Sequence, residues 1–173
     1  MLNELAHARH LAQLGFLQTI VEEAGLPATM LEKSELLPIH ILMAGFSQDG
    51  KGRDRFLHFS FLPLDDDELA AVQLLQLYVT FPFELPQERR ADMAQLLLDF
   101  NTRLPLGHFG VNEQNEIHYR YIYSLPASAT FDKDETLSVI ELFVQMCDLF
   151  GDAIEAVADG SLSWSEAINP VAN

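Results

Sequence analysis

The 173-residue chain contains a single cysteine, Cys147. No internal disulfide can form, so the fold must hold by packing alone, as suits a reducing compartment. Basic residues are scarce: 10 Lys and Arg stand against 26 Asp and Glu, a net charge of −16. That balance repels phosphate backbones, and the few cations form no long patch, so nucleic acid is not an expected partner. No apolar run approaches the ~20 residues a membrane span needs. The opening MLNELAHARH lacks the basic start, continuous apolar segment and small-residue cleavage site of a signal peptide. The expectation is a soluble, cytoplasmic protein without a membrane partner. Walker, Rossmann and GxSxG patterns are missing too, so no cofactor and no catalytic residue is expected.

What the chain has in quantity is apolar. Hydrophobic residues make up 49% of it, with 12 Phe, which excludes a disordered chain. The length fits one domain, 1–173, with a single core and with 161–173 as a C-terminal extension. The same acidity keeps in solution a surface that also shows apolar residues to a client.

Segment by segment, the clearest pattern lies in LPLGHFGVNEQNEIHYRYIYSLP, residues 104–126. Ile117, Tyr119, Tyr121, Tyr123 and Leu125 alternate with His118, Arg120 and Ser124, the period of a half-buried strand. Leu106, Phe109 and Val111 form a shorter arm, and the polar Asn112 to Glu116 between them predicts a hairpin. Leu5, Leu11, Leu14, Leu17, Ile20 and Val21 predict an amphipathic helix over 3–24, stopped by Gly25 and Pro27, with one more helical turn within 29–37. Strands are predicted at 39–46 and 55–62, joined through SQDGKGRD, and at 74–85, where Pro82 marks an end or an edge. A central helix after Pro86 carries the stripe Met93, Leu96, Leu97, Phe100. Asp132 or Asp134 caps a long last helix running to about 158, and Ser163 to Glu166 is a capping-box pattern for a short one ended by Pro170. The resulting order is α-β-β-β-α-β-β-α. It predicts an α+β domain with a mainly antiparallel five-stranded sheet packed with three helices.

Candidate chemistry is sparse. His7 and His10 could face one metal, but two imidazoles need a third ligand that the sequence does not place, so no metal is expected. Asp65 to Glu68 lacks the glycine and ligand spacing of an EF-hand loop and reads as a solvated segment. Cys147 falls in an apolar helix, where thiols are inert. His108, His118 and Glu116 form the one acid-base cluster worth considering. Gly107-His108-Phe109-Gly110 imitates a GxxG loop without its basic neighbours.

The element order, Asp99-Phe100-Asn101 closing the central helix, the Gly-Xaa-Phe-Gly strand and the long strand closing in Leu-Pro resemble the type III secretion chaperone-like superfamily. More closely, they are similar to the YbjN-like bacterial proteins, labelled sensory transduction regulators. That resemblance implies a small acidic homodimer that binds protein segments and is not an enzyme. It places the dimer interface on the central helix, at Met93, Leu96, Leu97 and Phe100. The strands are apolar on both faces, and Leu42, Phe56, Leu62 and Leu74 on the second face then read as partner-binding. The functional expectation is a non-enzymatic, chaperone-like or regulatory protein-binding module. The alternative is a small-molecule sensor or an enzyme with a pocket between sheet and helix, using His108 or His118.

Overall fold

A computed structural model describes residues 4–63 and 71–169. Its elements are α1 (Glu4–Glu23), β1 (Ala28–Leu31), β2 (Ile41–Phe46), β3 (Arg55–Phe61), β4 (Val72–Thr80), α2 (Arg90–Asn101), β5 (His108–Val111), β6 (Ile117–Pro126), α3 (Lys133–Ala158) and α4 (Trp164–Ile168), with one 3-10 turn at Gln87–Arg89. The class is α+β as predicted, and every strand pair is antiparallel. Among the described residues the sheet has six strands in the order β1-β2-β3-β4-β6-β5 and there are four helices, so the expectation of five and three is corrected. Among the described residues no helix is long and apolar enough to cross a membrane.

The added strand has a local cause. Gly25, at φ 85°, ends α1 with the paired bonds of a Schellman motif: Leu26 N donates to Val21 O and Gly25 N to Glu22 O. The chain is thereby turned alongside β2, where Pro27 O accepts from Gly45 N at 2.8 Å and Ala28 pairs with Ala44. Four residues carry too little periodicity to announce a strand, and tertiary pairing overrides the helical turn expected there. β4 stops at Thr80, short of the predicted Leu85, because the ladder ends where Phe81 N donates to Ile117 O and Pro82 has no donor. The caps appear as read: Asp132 accepts from Glu135 N, and Ser163 and Glu166 close a capping box. Pro170 lies outside the described residues.

All four helices sit on one face of the sheet. Leu14, Leu17 and Ile20 of α1, Met93 and Leu96 of α2 and Phe143 and Ile154 of α3 share a cluster with Leu42, Phe59, Leu77 and Tyr119 of the strands. Met93, Leu96, Leu97 and Phe100 are at most 4% exposed, all inside the subunit's own core. The stripe assigned to a dimer interface is thus consumed within one chain, since α2 must cover β5 and hold α3, where the Phe100 ring lies 4.7 Å from Phe150. Leu98, on the opposite side of α2, is 62% exposed.

Asn101, at the end of α2, acts as a substitute strand. Its Oδ1 accepts from Phe109 N at 2.8 Å and its Nδ2 donates to Phe109 O at 3.0 Å, closing the outer edge of β5. Asn101→Ala should cost about 1 to 3 kcal/mol by stranding both backbone groups, visible as a lower urea midpoint. An unchanged midpoint would show that water replaces the amide at no loss.

Candidate functional site

Strand alternation that buries one side chain exposes the next, and the second face carries no helix among the described residues. Leu31 of β1, Ile41 and Met43 of β2, Phe56 and His58 of β3, Leu74, Gln76 and Tyr78 of β4, and His118, Arg120 and Ile122 of β6 point to it. Phe56 is 47% and Leu31 40% exposed. Among the described residues not one strand contains an Asp or Glu, in a chain with 26 acids. The open face is therefore apolar at the β1–β3 side and weakly basic at the β6–β5 side.

The basic side is a lane across the strands. His58 pairs with Tyr78, Tyr78 with Arg120 and Arg120 with His108. The His118 ring stacks on Tyr78 at 5.0 Å and meets His108 edge-on at 6.4 Å. A Cβ at Gly110 would lie 2.8 Å from Nε2 of His118, so only glycine there lets the imidazole lie across β5. The glycines of the GxxG-like segment thus serve packing. Arg120 Nε donates to Gln76 Oε1 at 2.6 Å, a neutral partner. His118 Nδ1 is buried without a hydrogen-bond partner. Burial holds His58 and His118 below the ordinary 6.5, with His108 and Arg120 adding to the effect at His118.

Of the four residues assigned to partner binding, Phe56 and Leu74 lie on this face. Leu62 follows the end of β3, half-buried, its N–H donating to Leu74 O. Leu42 is a correction: it pairs with Phe59 and is fully buried in the core, so Ile41 and Met43 hold the outward positions of β2. The register of that hairpin, Phe46 opposite Arg55, follows from the geometry of its turn and could not be counted from alternation alone. Tyr78 and Arg120 went unassigned because each looks like an ordinary solvated strand position.

His108 and His118 do approach, but Glu116 stays apart, its Oε2 accepting from Asn112 Nδ2 within the turn. His7 faces His40 at 5.7 Å while the His10 ring stacks on Phe61 at 4.6 Å. Among the described residues no group of three or more His, Cys, Asp or Glu could hold a metal ion. Asp65 to Glu68 lies outside the described residues. Cys147 is buried, which pushes its thiol up to about 12.

A cleft of about 300 Å³ lies between the β2–β3 turn and α3, lined by Arg53, Arg55, Phe81, Phe83, Asp148 and Glu155 among others. Its charges answer one another. Arg53 donates Nη1 and Nη2 to the two oxygens of Glu155, at 2.9 and 2.7 Å, and Nε to Asp49 Oδ2 at 2.6 Å. Arg55, 6% exposed, reaches Asp148 and Ser47 O and lies over the Phe46 ring. These pairs clamp the hairpin onto α3, and SQDGKGRD read as a turn gave no sign of them. His108 and His118 are on the far face, so the cleft and the histidines are separate places. Hydrogen bonds from Arg53, outweighing burial and aided by Lys51, hold the Glu155 carboxyl below its usual 4.5. A depressed folded-state value contributes stability above that pH and loses it as pH falls through the folded value. Between about pH 5 and pH 3 the melting temperature of wild type should therefore fall more steeply than that of Glu155→Gln. Parallel slopes would remove Glu155 from the clamp.

Comparison with known proteins gives one finding. The family model of YbjN, described as "Putative bacterial sensory transduction regulator", matches residues 48–156, from the β2–β3 turn through most of α3. No curated protein matches the chain significantly.

Proposed function

The chain belongs to the YbjN family, and from that premise we propose a non-enzymatic regulator of the bacterial cytoplasm, chaperone-like in the manner of type III secretion chaperones, that binds a segment of another protein. The observation that carries this reading is the sheet face that, among the described residues, has no helix and no acidic strand position and is apolar in its β1–β3 half. Two recognition modes are available to such a sheet. Addition at β5 is opposed by Asn101, whereas the bond between Pro27 O and Gly45 N fixes the pairing of β1 so that the amide groups of Ala28 and Met30 point away from β2. Docking on the face itself uses more of the exposed apolar surface. The surrounding negative charge keeps that surface from associating at random. The competing reading, a sensor or enzyme working through His108 or His118 in a pocket between sheet and helix, is disfavoured because those residues sit outside the cleft. Met43→Asp, verified as folded by circular dichroism, should lose the partners that wild type recovers from lysate. Equal recovery by both proteins would sink the assignment.

We also infer that two copies pair through α2, by its outward side and not by the buried stripe. Support comes from Leu98, which lines a groove with Arg90, Ala94, Asn101 and Val111 beside β5. Light scattering should give a dimer mass that Leu98→Asp reduces to a folded monomer. A wild type already at monomer mass would end this reading.

A further inference from the structure

We propose that the segment bound on the open face is an amphipathic helix carrying a carboxylate, and that Arg120 receives that carboxylate. The inference rests on the protein-binding reading above and names the chemistry of the partner.

Five of the ten Lys and Arg form an ion pair among the described residues, while Arg90, at the surface of α2, is held by the Asn115 amide. Arg53, Arg55, Lys51, Arg89 and Lys133 each reach an Asp or Glu. Arg120, half-buried in the middle of the lane, reaches none among the described residues and is held by the Gln76 amide instead. Gln76 orients the guanidinium through Nε without neutralising it, and its Nη1 and Nη2 end makes no hydrogen bond among the described residues. That is the end that receives a carboxylate in a forked pair. Among the described residues the strands around it supply no competing anion, since none of them carries an Asp or Glu. His108 and His118, adjacent to Arg120, are held below 6.5 first by burial; Arg120 adds to this at His108, and at His118 it adds after His108. The local field is one an incoming carboxylate relieves.

Position sets the remaining requirement. Met43 shares a row with His58, Tyr78 and Arg120 and lies three strands from Arg120, about 14 Å, while Phe56 lies two strands away and two residues along, about 12 Å. A helix laid across the strands covers that distance in about eight to nine residues at about 1.5 Å each, so an apolar side followed by Glu roughly two turns later matches the face. A second copy stacked about a twofold axis parallel to the strands, between β3 and β4, would lay β2 over β6 and set Met43 on Arg120, offering it no carboxylate from the described strands.

The test uses the full chain and labelled helical peptides of about five turns (~18 residues), with Leu along one side and a single Glu two turns beyond it. Companion peptides carry Gln or Lys in place of that Glu, and fluorescence anisotropy reads the affinity. The Glu peptide should bind about 10- to 100-fold more tightly than the Gln peptide, as a charged hydrogen-bonded pair gives, and the Lys peptide most weakly. Arg120→Gln should erase the preference for Glu while leaving the affinity for the Gln peptide unchanged. Arg120→Lys, keeping charge without the fork, should retain part of it. Equal binding of Glu and Gln peptides, abolished by Met43→Asp, would overturn the carboxylate assignment and leave the docking face standing. Binding of no peptide, together with lysate partners indifferent to Met43→Asp, would overturn both. A wild-type dimer dissociated by Met43→Asp would give the face to a second copy and likewise overturn the proposal.

Discussion

The ladder between β4 and β6 is the constraint on which the rest of the molecule depends. Its nine antiparallel pairs, from Val72 with Pro126 to Thr80 with His118, join segments separated by the whole of α2 and β5. They set Leu75, Leu77 and Val79 beside Tyr123, Tyr121 and Tyr119 on the helix-covered face. They also set Gln76 and Tyr78 beside Ile122 and Arg120 on the open one. A slip of one residue would exchange the two sets entirely, so the burial of Tyr119 and Leu77 specifies the register that also builds the lane around Arg120. Core and candidate site are two sides of one pairing pattern.

The β5 edge and the β2–β3 hairpin are secured by polar side chains. Asn101 satisfies both backbone groups of Phe109, and Arg53 divides its donors between Asp49 and Glu155. Arg55, nearly inaccessible, is matched by Asp148, the Ser47 carbonyl and the Phe46 ring. A buried guanidinium left without such partners would cost more than the packing around it returns. The arginine-lined cleft is accordingly a joint between hairpin and helix, whereas the open face keeps its one arginine on a neutral partner. That difference in how two similar cations are satisfied separates the scaffold from the face proposed for recognition.

Charge distribution supports the same division. Among the described residues every Asp and Glu lies on a helix or a connecting segment, leaving the strands bare of acid. Repulsion between acidic surfaces discourages indiscriminate contact, and the sheet is where a partner meets least repulsion.

Read by itself, the chain determined its class, the two hairpins, the helix caps and the family, because alternation, turn residues and capping boxes are local signals written in neighbouring residues. The strand Tyr119–Leu125 and the stripe Met93–Phe100 were legible as apolar, and Phe56 and Leu74 as belonging to a second face. What only the tertiary structure decided was which apolar residues remained available. Leu42 and Met43 are equally hydrophobic, and the register with β3 sends one to the core and the other to the open face. Met93 and Leu97 suit a dimer seam as well as a core, and contact with α3, α4 and β5 assigns them to the core. β1 exists because the turn at Gly25 brings four unremarkable residues to the free edge of β2. Pairing across long sequence separations leaves no local trace, and so the partnerships of Arg53, Asn101 and Arg120 could be known only once the strands were in place.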